Sequence, residues 1–318
     1  MKRQAIQLAG RWFLPFLAVS AAALLLAGDA AGQINSLTRE ELIKYTAQNP
    51  YDRFPDGRPK VPDALLEQFK DLCSEEVMSA GRSGGPGGPG GMGPALVSVT
   101  FTDGWQILKP EKKLIGRAFT AQFMPRRAEV ANVDSGEWKQ KGNDRPLSHQ
   151  TPLDMLQPGD VIVMDMGGNI VDAGGVIGDN LAYYIWKKTG TGFVIDGAIR
   201  DLEGISGYDM TGYFRAAGPA SIMGLMLTGI NVPVRIGKAT VMPGDVVLGD
   251  REGVNFIPPQ AVQRLLDAAK TTRIHDEWTR KKFDEGKYKS SDIYSRPRDP
   301  ALIKEYEEYL KEQLAKQK

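Results

Sequence analysis

The stretch from Gly174 to Asp201 constrains the fold of this chain more than any other part of the sequence. Its glycine-rich start leads into a short helix that is predicted to begin near Asn180, with Asp179 as its N-cap. A Gly-Thr-Gly break follows, and residues 193–196, Phe-Val-Ile-Asp, are mostly apolar with two β-branched side chains, as in a buried strand. We therefore expect the loop before the helix and the loop after the strand to open at the same edge of a sheet.

The polar groups of this stretch favour one kind of chemistry. Amides at the start of a helix near Asn180 form an anion site, because they lack partners inside the helix and carry its positive dipole end. Arg200 offers a planar fork that matches a carboxylate, and Asp179 and Asp201 are hard oxygen donors for a divalent cation. Together they suggest a site for a small 2-oxo acid, where a cation would stabilise the enolate that forms when a carbon–carbon bond breaks.

These residues also allow two other interpretations. The Arg200-Asp201 pair is also typical of a surface salt bridge, and Asp179 of a simple helix cap. A strand over Val161–Asp165, followed by glycines and a helix, imitates a dinucleotide-binding unit. That fingerprint needs G-x-G-x-x-G directly after the strand, and here Asn-Ile-Val-Asp follows Gly167-Gly168. The sequence therefore argues against a dinucleotide site.

Composition excludes several classes of function. The 318 residues carry a net charge of +1, which predicts neither a nucleic-acid surface nor an anionic-membrane surface. Cys73 is the one cysteine, so no intrachain disulfide can form. The two histidines, His149 and His275, lie far apart in the sequence, which argues against a histidine-rich zinc site. A metal would then be held mainly by oxygen, which favours Mg²⁺ or Mn²⁺.

The N-terminus has the pattern of a secretory signal peptide over residues 1–32. Lys2 and Arg3 precede an uncharged apolar run at 12–28, and small residues at 30–32 could form a cleavage site. This predicts export, to the periplasm or beyond, and no membrane attachment after cleavage. An uncleaved anchor is the alternative, although the run is shorter than the ~20 residues of a spanning helix.

The remaining chain divides into a central domain with extensions. We expect an N-terminal extension over 33–61, the main domain over 62–270 and a helical C-terminal extension over 271–318. The glycine-rich run at 81–94 lacks the Lys-Ser/Thr ending of a phosphate loop and is interpreted as a flexible insertion.

Local patterns predict several elements that the structure can test. Apolar spacing favours a single helix from Pro62 to Val77 with Cys73 on its apolar face. The repeated Pro-Gly-Asp at 158–160 and 243–245 suggests two hairpins, and residues 232–236 and 239–241 are expected to continue the main sheet, which 254–257 closes. Gly116 is predicted to be a bulge or a close-approach site, and Arg126 and Arg127 are either solvated charges or groups that reach the site.

Several motifs of the chain belong together. They are GGVIGDNLA, the strand VIDGAIRD, and Asp179 followed after twenty residues by Arg200-Asp201. Further motifs are Gly116-x-Ala118-x-Thr120, PGDVIVMD with Gly167-Gly168, and PVRIGKATVMPGDVVLGDREGV. Together they resemble the RraA-like family, which includes the 4-hydroxy-4-methyl-2-oxoglutarate aldolases and the regulator of ribonuclease activity A. The resemblance covers about residues 62–270.

The resemblance implies an α/β fold, a swivelling ββα sandwich that assembles as homotrimers or homohexamers. It further implies that Arg200 binds the oxo-acid end of a substrate and that Asp201 holds Mg²⁺ or Mn²⁺, directly or through waters. Asp179 would help to order a metal-bound water. The substrate contacts would come from four consecutive residues, Gly178, Asp179, Asn180 and Leu181. Asn180 departs from the family, which usually has an apolar residue there.

Residues and resemblance together predict a metal-dependent class II lyase. It would cleave a 4-hydroxy-2-oxo acid to pyruvate, decarboxylate oxaloacetate, or do both. The alternatives are a non-catalytic protein-binding modulator and a binder of small oxo acids. The expected partners are a small 2-oxo acid and further copies of the chain, and no nucleic acid.

Overall fold

The computed structural model describes residues 36–82, 99–167, 174–294 and 297–316. The predicted signal peptide and its apolar run therefore lie outside the described residues, as does most of the glycine-rich insertion. Across the ranges that are described, none of the helices combines the length and the apolar character that crossing a membrane requires.

A nine-stranded mixed sheet, counted over the described residues, is the centre of the molecule. Its strands are β1 (Thr100–Thr102), β2 (Gln106–Ile107), β3 (Leu114–Pro125), β4 (Asp160–Asp165), β5 (Phe193–Ile199), β6 (Gly212–Ala217), β7 (Leu225–Ile230), β10 (Val246–Gly249) and β11 (Val254–Ile257). They run in the order β1-β11-β10-β3-β4-β5-β6-β2, with β7 paired to the C-terminal part of β3. A separate two-stranded sheet contains β8 (Val234–Ile236) and β9 (Ala239–Val241).

Helices cover the sheet and extend it at both ends of the chain. They are α1 (Arg39–Tyr45), α2 (Asp63–Gln68), α3 (Ser74–Arg82), α4 (Ala128–Gln140), α5 (Thr151–Asp154), α6 (Asp179–Thr189), α7 (Leu202–Ser206), α8 (Val262–Asp284), α9 (Ser290–Ile293) and α10 (Pro300–Lys316).

Strands β3 to β6 are parallel and form the buried centre of the sheet. Every residue of β4 and β5 is buried, as expected for parallel strands that are covered on both faces. Helix α6 connects β4 to β5, so its N-terminus and the carboxyl end of β5 lie at the same edge. Gly116 is a close-approach site, as predicted, because a Cβ there would lie 2.6 Å from the carbonyl oxygen of Gly159.

The single helix predicted from Pro62 to Val77 is wrong. Helix α2 ends at Gln68, a 3₁₀ turn follows, and α3 begins at Ser74. At the break, side-chain carboxylates accept hydrogen bonds from the backbone. The Cys73 N–H donates to Glu76 Oε2 at 2.8 Å, and the Ser74 N–H to Asp250 Oδ2 at 2.6 Å. These bonds replace the i→i−4 bonds that would have continued the helix, and Cys73 is only half-buried.

The two Pro-Gly-Asp segments are turns, but the predicted hairpins are wrong. Strand β4 follows the first turn and lies between parallel neighbours, whereas the second turn links strands of different sheets. Both turns share one device, in which the Asp carboxylate accepts a hydrogen bond from the backbone N–H three residues earlier. Asp160 accepts from Gln157 at 2.8 Å and Asp245 from Met242 at 2.9 Å.

The expected continuation of the main sheet by 232–236 and 239–241 is also wrong, because β8 and β9 pair only with each other. Strand β11 does not close the sheet either, since β1 pairs on its outer side. Val232, Val234 and Val241 are buried in a core beneath the main sheet, so burial and not strand pairing explains their apolar pattern.

Both extensions are helical and packed. In the N-terminal extension, Arg58 donates to both carboxylate oxygens of Asp160, at 3.0 and 3.2 Å, and both side chains are fully buried, with exposed fractions of 1% and 0%. At the other end, α8 runs without interruption through residue 270. Helix α10 packs on its second half through Leu302 and Trp278.

Candidate active site

The loop before α6 and the loop after β5 meet at the carboxyl edge of the sheet, as the sequence predicts. Gly178 marks the contact: a Cβ atom there would lie closer than 3.0 Å to Asp201 Oδ2 and 3.1 Å from Arg200 Nε. Gly175 approaches in the same way, with its Cβ position 2.7 Å from the Arg200 amide nitrogen. Any larger residue at either position would push the Arg-Asp pair away.

Arg200 and Asp201 form a partly exposed pair at this edge. The distance from Arg200 Nε to Asp201 Oδ2 is 3.6 Å, and their side chains are 39% and 36% exposed. Asp201 has a left-handed backbone with φ of 60°, a conformation in which aspartate is more tolerant than most residues. Its carboxylate makes no capping hydrogen bond to α7, so its oxygens remain available to a ligand.

Asp179 is one residue inside the helix, and the predicted N-cap role is wrong. Gly178 is the N-cap, and Asp179 Oδ1 accepts from the Asn180 N–H at 2.8 Å. The Asp179 side chain packs against Gly204 of α7, whose Cβ position lies 2.8 Å from Asp179 Cβ. This contact packs the start of α6 against α7, the helix that directly follows Asp201.

The N-terminus of α6 retains free donors. The Ala182 N–H donates to the Gly178 carbonyl and the Asn180 N–H to Asp179, whereas the Asp179 and Leu181 N–H groups find no acceptor among the described residues. Helix α6 has 11 residues, so these amides lie at the positive end of a substantial dipole. The Asn180 side chain is exposed.

His149 is a residue of the site region that the sequence does not reveal. Its side chain is half-buried, and burial first and the positive charge of Arg200 second hold its pKa below the ordinary value. The imidazole is therefore neutral at pH 7 and lies within electrostatic reach of Arg200. No local pattern marks this residue, because its proximity to Arg200 arises only from the tertiary fold.

The arginines at the end of β3 have different surroundings. Arg127 is exposed and donates to Glu129 at 2.7 Å, so it is a solvated charge. Arg126 lies with His149 on the wall of a cavity of about 270 Å³.

The donors at this site fit a hard divalent cation. Within the parts of the chain that are described, no group of three or more His, Cys, Asp or Glu side chains is placed to hold a metal ion. Mg²⁺ does not need such a group, since it usually keeps several waters and binds through one or two carboxylates. Asp201, with its uncapped carboxylate held against Gly178, and the neighbouring Asp179 provide that donor set.

The family follows from comparison with known proteins. The model of the RraA-like family, described as Aldolase/RraA, matches residues 96–255, which is half of the chain. The chain belongs to the RraA-like family. The matched region of this RraA-like protein contains Gly178, Asp179, Arg200 and Asp201, whereas α1 to α3 and α8 to α10 lie outside it.

Relatives of known name match this protein only in part. A Halalkalibacterium halodurans protein, provisionally named as a 4-hydroxy-4-methyl-2-oxoglutarate aldolase, is 35% identical over 38% of this chain and 56% of its own length. A 4-hydroxy-4-methyl-2-oxoglutarate aldolase of Thermus thermophilus is 31% identical over 31% of this chain and 60% of its own length. Protein DlpA of Legionella pneumophila is 28% identical over 52% of this chain and 25% of its own length.

Solved structures confirm the predicted α/β fold class, and the helical extensions are present in this chain's own structure. Streptomyces coelicolor RraAS2, an unusual member of the RNase ES inhibitor RraA protein family, superimposes with a TM-score of 0.57 at 24% identity. The alignment covers 70% of this chain and all of RraAS2. At this identity the likeness shows the fold alone.

Proposed function

We propose that this protein is a divalent-metal-dependent carbon–carbon lyase that cleaves a 4-hydroxy-2-oxo acid to pyruvate. One observation carries the proposal: Arg200, Asp201 and the N-terminus of α6 converge on Gly178 at the carboxyl edge of the parallel strands. The aldolase names of its relatives support the reaction class.

Binding of the oxo-acid end follows from the donors at this edge. The Arg200 guanidinium can pair with the substrate carboxylate through two parallel hydrogen bonds. The N–H groups of Asp179 and Leu181, which have no acceptor among the described residues, add donors at the positive end of α6. These contacts orient the substrate so that its keto group faces Asp201.

Cleavage needs charge stabilisation and a proton acceptor. Asp201, helped by Asp179, would hold Mg²⁺ or Mn²⁺, which when bound supplies Lewis-acid polarisation of the keto oxygen. The proton of the C4 hydroxyl must leave as the C3–C4 bond breaks. His149, neutral at pH 7 because burial and Arg200 lower its pKa, is the candidate acceptor that the fold brings near Arg200.

Pyruvate release tests the proposal directly. The purified protein with Mg²⁺ or Mn²⁺ is incubated with a panel of 4-hydroxy-2-oxo acids and with oxaloacetate, and pyruvate is measured. We expect release that stops on chelation and falls at least about a hundredfold in Arg200→Ala and Asp201→Asn. Absence of pyruvate from every compound and with either metal would refute the lyase.

Assembly and location are part of the same proposal. We propose a homotrimer or homohexamer, and export after removal of residues 1–32. Light scattering on the purified protein tests the first, and N-terminal sequencing of the protein from a producing cell tests the second. A monomer, or an intact Met1 in the mature protein, would refute the respective part.

A further inference from the structure

A cavity lies beside the candidate site, and of its lining residues only His149 takes part in the chemistry above. Its volume is about 270 Å³, and its walls come from the end of β3, helix α4, the segment before α5, and β7. Apolar side chains such as Phe123 and Leu227 form part of the wall. The polar part consists of a cation, an anion, an imidazole and hydroxyls, from Arg126, Asp134, His149, Ser135 and Ser148.

This cavity adjoins the Arg200 site along two walls. On one side, His149 lines the cavity and is influenced by the charge of Arg200. On the other, the cavity residue Ile222 follows Ser221, which forms a bridge with Gly175. Gly175 in turn packs on the Arg200 backbone. A substrate whose oxo-acid end binds Arg200 can therefore extend its remaining atoms past His149 into the cavity.

The two charged side chains of the cavity have no partner in the part of the chain that the structure describes. The Arg126 guanidinium and the Asp134 carboxylate form no hydrogen bond or ion pair with any described residue, although they line the same cavity. The neighbouring Arg127, by contrast, is paired with Glu129. Asp134 is half-buried and Arg126 is exposed at the rim, so both groups are open to a ligand that enters the cavity.

We infer that this cavity binds the part of the substrate beyond the C3–C4 bond and that this part is polyhydroxylated, so that the substrate is a 3-deoxy-2-oxo sugar acid. The inference rests on the proposed lyase function. Each sugar hydroxyl both donates and accepts, and can therefore satisfy Arg126 and Asp134 at once. A second carboxylate would pair with Arg126 but meet the negative charge of Asp134, and an alkyl tail would leave both charged groups unpaired.

The reaction of such a substrate balances without a further reactant. The C4 hydroxyl loses its proton and becomes the carbonyl of the leaving aldehyde, while the C3–C4 bond breaks. Its electron pair forms the enolate over C3 and C2, and C3 then takes a proton to give pyruvate. For a six-carbon acid the other product is glyceraldehyde, a three-carbon hydroxyaldehyde.

Three ligands that are identical from C1 to C4 test the inference. They are 2-oxo-3-deoxygluconate, 4-hydroxy-2-oxoglutarate and 4-hydroxy-2-oxohexanoate, with hydroxylated, carboxylate and alkyl tails. Binding is measured by calorimetry with Mg²⁺ present, and pyruvate release is measured in parallel. We expect the hydroxylated acid to bind at least about tenfold more tightly and to have the highest kcat/KM.

Substitutions in the cavity test whether Arg126 and Asp134 cause the preference for the hydroxylated acid. Arg126→Met and Asp134→Leu should each weaken binding of the hydroxylated acid about tenfold and leave that of the alkyl acid unchanged. Arg127→Met is the matched control, since this arginine is next in sequence but paired elsewhere, and it should change neither. Arg126→Lys, which keeps the charge, should restore part of the preference.

The outcomes separate the two proposals. Equal binding of the three acids, or a preference that survives both cavity variants, overturns the inference even if pyruvate is released. A cavity-dependent preference without pyruvate from any acid overturns the lyase and keeps the binding specificity. Failure of all three acids to bind overturns both.

Discussion

Asp201 Oδ2 occupies the space that a side chain on Gly178 would need, at less than 3.0 Å from the position of that Cβ atom. The N-terminus of α6 and the end of β5 can therefore pack this closely only because Gly178 has no side chain. The proposed metal ligand can keep its position only because residue 178 has no Cβ atom.

Gly178→Ala is expected to displace the Asp201 carboxylate and to weaken binding of Mg²⁺ by about tenfold or more. Lyase activity should fall in parallel. The melting temperature should change little, since the atoms that the new methyl group meets belong to the partly exposed side chains of Arg200 and Asp201, which can move. Calorimetric titration with Mg²⁺ measures the effect. Gly218→Ala is the control. Gly218 lies at the same edge, where its N–H donates to the Ile199 carbonyl, but a Cβ atom there would meet nothing within 4 Å. Equal Mg²⁺ affinity in the two variants would show that the position of Asp201 does not depend on Gly178.

We expect protonation of His149 to cause the fall of kcat/KM at acidic pH. Burial and the charge of Arg200 lower its pKa, so the neutral, proton-accepting form should persist to below pH 6.5. The rate constant kcat/KM should be level near neutral pH and fall only on further acidification. His149→Gln should lower kcat by about a hundredfold and remove this fall, whereas His275→Gln should leave both unchanged. An unaltered fall at acidic pH in His149→Gln would exclude this residue as the proton acceptor.

Asp245 predicts that the free energy of unfolding depends on pH. Complete burial raises the pKa of its carboxyl to about 7, so the folded state binds a proton that the unfolded state releases near pH 4. The free energy of unfolding should therefore fall as pH rises between these values, by up to about 1.4 kcal/mol per pH unit, and level off above pH 7. Urea unfolding across this range measures it. Asp245→Asn should flatten the slope, and a slope that stays the same would show that another group causes it.

The buried Arg58–Asp160 pair predicts that the N-terminal extension is part of the folding unit. Arg58→Met leaves a buried carboxylate without its cation and should lower the free energy of unfolding by about 3–5 kcal/mol. Lys70→Met, which removes an exposed pair with Glu67, should cost less than about 1 kcal/mol. Denaturant unfolding compares them, and a loss below about 1 kcal/mol in Arg58→Met would show that the extension is not required.

Helix α4 shows how prediction fails when burial is missing. None of its residues is buried, so no apolar period marks residues 128–140, and the sequence does not predict the helix. Between Pro62 and Val77 the error is the opposite one, because the sequence predicts one continuous helix where the structure has a break. Its apolar spacing is continuous, but Asp250, far away in the chain, binds the Ser74 N–H and starts a new helix there.

The sequence by itself determined the features that depend on neighbouring residues: the glycine loop, helix α6, strand β5 and the spacing from Asp179 to Arg200 and Asp201. Only the tertiary structure decided which groups join them. His149 comes within electrostatic reach of Arg200, and Arg58 pairs with Asp160 across 102 positions of the chain. No local pattern encodes either arrangement. Local hydrogen bonding and burial period set the first group, whereas the second depends on how the whole sheet and its helices pack.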